Sequence, residues 1–220
     1  MIEGDPNNNG RRPVAYLNET FLESPDARGP RILSEYLEPL SHFRDEKSQD
    51  TIVFFGSARI TENGPLSQYY NDARTLARLI TEWSKDIESQ FHRFVICSGG
   101  GPGIMEAANR GAEEAGGKTI GLNIGLPFEQ EPNGYITPSL SFEFHYFFMR
   151  KFWFAYLARA LVIFPGGFGT RDLSRSFRNW DCPPFTTSHF DRAEIAPGFE
   201  QMNPACANML AHNHPQTRST

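Results

Sequence analysis

The chain has 220 residues, 21% of them charged and 39% hydrophobic, which suits one α/β domain with a full core and excludes a wholly disordered polypeptide. A formal net charge of −5 argues against nucleic acid or an acidic membrane surface as the main partner. Cys97, Cys182 and Cys206 show no C-x-x-C spacing and cannot all pair, so a reduced, cytoplasmic protein is expected.

The first residues show neither a basic stretch nor an apolar one, so no signal peptide is expected. Residues 1–30 are rich in Asn, Gly, Pro, Arg and Glu and read as a disordered arm. Ile32, Leu33, Tyr36, Leu37, Leu40 and Phe43 then follow helical spacing. Thr51-Ile52-Val53-Phe54-Phe55 reads as a buried strand ending in Gly56-Ser57, and a helix is predicted from Leu66 to Trp83. A second strand, Phe94 to Cys97, runs into Ser98-Gly99-Gly100-Gly101-Pro102-Gly103, and a helix follows from Ile104 to the Gly116-Gly117 pair.

Thr119 to Ile124 is a third strand, Leu140 to Phe144 a short extended piece, and His145 to Arg159 a helix. That helix is apolar on nearly every side and is expected to be buried. Its Arg150 then needs a carboxylate, Glu143 for instance, or a phosphate. Interrupted by His145, Arg150, Lys151 and Arg159, residues 144–164 make a poor membrane span. Ala160 to Phe164 is the fourth strand, delivered into Pro165-Gly166-Gly167-Phe168-Gly169-Thr170.

Apolar strands alternating with helices predict a doubly wound parallel sheet covered on both faces. In such sheets ligands bind beyond the carboxyl ends of the strands. Three glycine turns fall at three such ends, and one pocket receiving all of them is the economical reading. Glycine turns of this kind bring backbone N–H groups close to an anion.

Two familiar nucleotide pockets fail on spacing. The dinucleotide fingerprint needs a third Gly where Glu106 stands and an acid where the third strand ends in Asn123. Gly117-Lys118-Thr119 imitates the end of a phosphate-binding loop, but it lies between a helix and a strand rather than the reverse.

Several blocks, in order, resemble the LONELY GUY (LOG) family. They are Val53 to Arg59, Gly99 to Ala112, Gly121 to Ile124, Leu126 to Gln130, Phe147 to Lys151 and Pro165 to Thr170. The resemblance spans about Thr51 to Thr170 and implies a Rossmann-like fold and a homo-oligomer. It also implies hydrolysis of the N-glycosidic bond of a nucleoside 5′-monophosphate, AMP or a cytokinin ribotide, giving free base and ribose 5-phosphate. No metal or organic cofactor is implied. The family was long labelled lysine decarboxylase, but no lysine here sits in a recognisable Schiff-base setting.

Carried over block by block, Gly56, Ser57, Gly99, Gly100, Gly101 and Gly103 would line the substrate. Gly166, Gly167, Phe168, Gly169 and Thr170 would hold its phosphate at a helix N-terminus. Glu129 would accept from the ribose hydroxyls, Lys151 would contact substrate, and Arg150 would assist bond cleavage. The family signature P-G-G-x-G-T-x-x-E, however, meets Leu173 where its Glu belongs. Asp172 matches a pocket residue but stands one position short, about 100° away on a helix. A nucleotide-binding protein without hydrolysis is therefore the alternative.

After Thr170 the composition changes: Val is absent, Ile195 stands alone and no run resembles a strand. The expected organisation is an arm over 1–30, a nucleotide-binding domain over 31–180 lacking the usual C-terminal strand–helix units, and a poorly structured tail over 181–220. His189, His212 and His214 have no acid or cysteine at useful spacing, so no metal site is expected.

Overall fold

A computed structural model describes residues 13–125 and 131–167, together with the backbone of 184–186. Helices α1 (Glu19–Glu23) and α2 (Arg28–Asp45) precede β1 (Thr51–Phe55), α3 (Ser67–Lys85), β2 (Val95–Ser98) and α4 (Ile104–Glu114). Then follow β3 (Thr119–Ile124), β4 (Ser141–Phe144), α5 (Phe147–Leu157), β5 (Ala158–Ile163) and β6 (Pro184–Thr186).

The strands form one sheet in the order β4-β3-β2-β1-β5-β6, with every pair parallel. The chain steps outward from β1 to β4, then returns to place β5 on the other side of β1. The strand order thus reverses between β1 and β5, the position at which Rossmann-type sheets open a crevice at their carboxyl edge.

Side chains alternate across the sheet and supply both cores. Ile52 and Phe54 pack with Ile96, Ala73, Ile80 and Ile104 under α3 and α4. Val53 and Phe55 pack with Leu122, Phe43, Trp153 and Phe154 under α2 and α5. This double covering makes β1 buried at all five positions. Each such Ile, Leu or Phe contributes roughly 1.5–3 kcal/mol by leaving water.

Three expectations are corrected. Residues 15–27, placed in a disordered arm, form α1 and two single 3-10 turns, Ala15–Leu17 and Pro25–Ala27. The Asn18 side chain caps α1 by accepting from Phe21 N at 3.2 Å. Arg31 fastens the arm by donating to the carbonyls of Leu22 and Ser24 and to the Tyr146 hydroxyl. Helix α5 is not buried all round. Its Met149, Arg150, Trp153 and Phe154 face inward, whereas Phe147, Phe148 and Tyr156 remain 45–52% exposed. Sheet and α2 cover only two sides of so short a helix. Finally, Pro184–Thr186 does form a strand, parallel to β5. Three residues are too few to show a period, and proline is tolerated as the first residue of an edge strand.

Among the described residues, no helix is long and apolar enough to cross a membrane.

Candidate functional site at the carboxyl edge of the sheet

Ser57 draws the glycine turns together. Its N–H donates to Pro165 O at 3.1 Å, tying the turn after β1 to the turn after β5. Its own carbonyl accepts from Ile104 N at 3.1 Å, tying the same turn to the start of α4. Phe164 N donates to Phe55 O at 2.8 Å and continues the β1–β5 ladder to the edge.

The approach is so close that glycine is required. A Cβ on Gly103, which also has φ +73°, would strike Ser57 O, and one on Gly56 would lie 2.5 Å from Ile104 Cγ2. Gly56, Ser57, Gly99, Gly100, Gly101 and Gly103 thus gather at one edge, with Gly166 and Gly167 beside them. Gly167 differs from the others: it is exposed, and no described atom lies within 4 Å of where its Cβ would be. Nothing described in the chain's own packing requires a glycine there. Glu129, Phe168, Gly169, Thr170, Asp172 and Leu173 lie outside the described residues.

Arg150 projects from α5 beneath this edge and is 9% exposed. Its Nε donates to Leu122 O at 2.6 Å and its Nη2 to Gly99 O at 3.3 Å, while the guanidinium lies 5.3 Å from the Phe154 ring centroid. Both hydrogen-bond partners are neutral carbonyls, and among the described residues no carboxylate pairs with it. Glu143, the acid suggested by sequence, is exposed on β4. Burial pushes the Arg150 guanidinium down from its ordinary value to about 10. A guanidinium offers five N–H donors, so unused capacity remains for an anion. Lys151, the neighbouring cation, is only half-buried, with Nζ 4.8 Å from the Phe147 ring centroid.

A polar network fixes the Gly99–Gly101 turn, and sequence reading missed it. Ser98 Oγ donates to Asn109 Oδ1 at 2.6 Å and accepts from Gly100 N at 3.0 Å. Asn133 donates from Nδ2 to Gly100 O at 2.9 Å and to Gly101 O at 3.1 Å, and from its backbone N to Gly100 O at 2.8 Å. Asn123 sits under Gly100, where φ is +76° and a Cβ would collide with its amide. The Gly100 N–H is therefore spent inside the protein rather than aimed at a ligand. Asn109, fully buried on the apolar face of α4, was the available signal, because a buried amide needs partners.

Among the described residues, no group of three or more His, Cys, Asp or Glu side chains could hold a metal ion. Two clefts lie at the opposite, amino-terminal end of the sheet. The larger, about 360 Å³, contains Lys85 and Lys118, but Lys85 bonds the Ala115 carbonyl and Lys118 pairs with Glu46. The smaller, about 270 Å³, lies between α2 and α5.

The family model described as "Possible lysine decarboxylase" matches residues 105–174, from the start of α4 past the turn after β5. No curated protein matches the chain significantly. Among solved structures, the X-ray structure of TM1055, a structural-genomics target, is 24% identical with a TM-score of 0.50, covering 61% of this chain and 72% of that one. The molybdenum cofactor carrier protein of Chlamydomonas reinhardtii is 23% identical, with TM-score 0.48 and coverage of 63% and 76%. The molybdenum cofactor binding protein of the phototrophic bacterium Rippkaea orientalis is 20% identical, with TM-score 0.47 and coverage of 64% and 76%. At 24% identity the likeness to TM1055 concerns the fold alone, and the ligands in the other two titles belong to those proteins. The family match over residues 105–174 and the all-parallel sheet together support a likeness to LOG-like proteins of Rossmann type.

Proposed function

We propose that the carboxyl edge of the sheet binds a nucleoside 5′-monophosphate and that the protein hydrolyses its N-glycosidic bond, releasing free base and ribose 5-phosphate. The observation that carries this reading is Arg150, a buried cation beside the Gly99 turn with no described acid to balance it. A bound phosphate or developing anion would offset its lost hydration. Gly167, with no described atom within 4 Å of where a Cβ would project, supports close approach of the phosphate to the turn that Gly166 to Thr170 form in sequence. Glu129 takes the ribose hydroxyls in this reading and Lys151 adds a second cation. No metal or organic cofactor takes part.

The protein works as a cytoplasmic homo-oligomer in this proposal. Exposed Leu33 and Leu37 on α2, with Phe147 and Phe148 on α5, support self-association, because such surface gains by burial.

A second reading is favoured by one residue. Leu173 stands where the signature carboxylate belongs, so the chain would bind the nucleotide without cleaving it. Release of adenine from AMP by the purified chain, followed beside a Leu173→Glu variant, decides between them. Release by the parent supports hydrolysis. Release only by the variant supports binding alone, and absence of AMP binding by calorimetry overturns both.

A further inference from the structure

The cleft of about 270 Å³ at the foot of the sheet has polar features that the chain's own packing leaves unexplained. Leu40, Phe43, Trp153 and Leu157 supply apolar walls, and Phe91 and Tyr156 line it with about half of their surface open to solvent, each 52% exposed. Ser48 also lines it and is only 8% exposed, yet its hydroxyl has no hydrogen-bond partner among the described residues. An unbonded buried hydroxyl costs about 1–3 kcal/mol.

Two cations, Arg44 and Lys47, line the same cleft, and neither forms an ion pair with a described acid. Among the described residues no acid lines the cleft. The Lys47 backbone has φ 52°, a left-handed conformation that a lysine adopts at a cost of about 1–2 kcal/mol. Glycine would relieve that strain but would remove the ammonium from the cleft.

We infer that this cleft is a binding site for a small aromatic carboxylate, its ring held against the Trp153, Phe91 and Tyr156 surfaces and its carboxylate received by Arg44 and Lys47. The volume suits one ring system and a short acid, near the lower end of small-molecule sites. Charge selects the sign of the ligand: an aromatic amine would meet two unpaired cations and no acid. This site lies at the end of the sheet opposite the glycine turns and does not depend on what those turns bind.

Isothermal titration of the full chain with indole-3-acetate tests the proposal, with tryptamine and 3-methylindole as the cationic and neutral counterparts. Saturable one-to-one binding of the acid is expected, with tryptamine at least tenfold weaker and AMP not competing. Lys47→Gly and Arg44→Ala should each weaken binding tenfold or more, and Lys47→Gly should also raise the thermal midpoint, because it relieves a strain of the unliganded fold. Equal binding of tryptamine, binding unchanged in both variants, or no binding at millimolar acid overturns the inference. So does a dimer in sedimentation that Tyr156→Ala dissolves, since a second copy would then fill the cleft.

Discussion

The Arg150 guanidinium donates to the Gly99 carbonyl across 3.3 Å, and the same guanidinium occupies the space that any side chain at Gly99 would need. A Cβ there would lie 2.7 Å from Arg150 Nη2 and 2.8 Å from Met105 Sδ. Arg150 cannot step aside freely, because its Nε is held by Leu122 O. Gly99→Ala should therefore destabilise the fold by about 1–3 kcal/mol and weaken AMP binding more than tenfold. Urea unfolding and calorimetry on the same preparation measure the two effects.

Arg150→Met separates a structural cation from a ligand-binding one. A buried charge without a carboxylate is costly, so its apolar replacement should leave the unfolding free energy unchanged or raise it by about 1–2 kcal/mol. Nucleotide binding should fall by at least tenfold. A loss of several kcal/mol in the free chain would instead show that Arg150 is held by an internal anion.

The lowered pKa of Arg150 fixes the sign of a pH effect. Its folded value of about 10 lies below the ordinary arginine value, so between the two the unfolded chain binds more proton than the folded one. Stability arising from this group therefore rises with pH across that window, while the penalty is fully present below about 10. The difference in stability between the parent and Arg150→Met should shrink as pH rises from 9.5 to 11.5. Saturating AMP, by pairing the guanidinium, should abolish that convergence. Denaturation series at fixed ionic strength would show a pH-independent difference if Arg150 carried no such penalty.

Asn133 offers a test of the turn rather than of the charge. Its side-chain amide holds both Gly100 O and Gly101 O, so Asn133→Ala removes donors from two carbonyls at once. A loss of about 1–3 kcal/mol is expected, with faster hydrogen exchange at the Gly99–Gly103 amides and weaker AMP binding. Asn133→Asp should be worse, because it turns acceptor oxygens toward those carbonyls. Unchanged exchange in both variants would remove Asn133 from the support of the turn.

Much of the edge was legible because its signals are local. Strand β1 is Thr51 and four apolar residues followed by Gly56, and α4 begins where Gly103 ends, so period and punctuation placed both within a residue or two. Arg150 was legible as a buried cation needing an anion, although its carbonyl partners were not, since Leu122 and Gly99 are distant in sequence. Asn133 and Ser98 both bond Gly100 and Asn109, Asn133 through tertiary packing alone, and neither carries a periodic mark. The folded arm escaped notice for the same reason: its anchor, Arg31 to Tyr146, joins residues 115 apart. The half-exposed α5 reads as buried because hydrophobicity reports what a face could cover, not whether a neighbour is there.

The foot of the sheet has its own keystone, which should fail differently from the edge. Asp50 is 1% exposed and accepts from Arg93 at 2.7 Å and from Phe94 N at 2.6 Å, with Arg159 at 3.5 Å. The Phe94 bond holds that residue at φ 54°, an unusual conformation for an aromatic side chain, and sets the entry of β2 into the sheet. Asp50→Ala leaves two arginines without their acid and the Phe94 N–H without an acceptor, so a loss of about 1–3 kcal/mol is expected. Asp50→Asn keeps an acceptor for Phe94 but not the charge, and should cost less than the alanine change. Because the glycine turns lie at the other end of the sheet, the folded fraction of either variant should bind AMP with parental affinity. Calorimetry corrected for folded fraction checks this, and a tenfold loss of affinity in folded Asp50→Asn would show that the two ends of β1 are coupled.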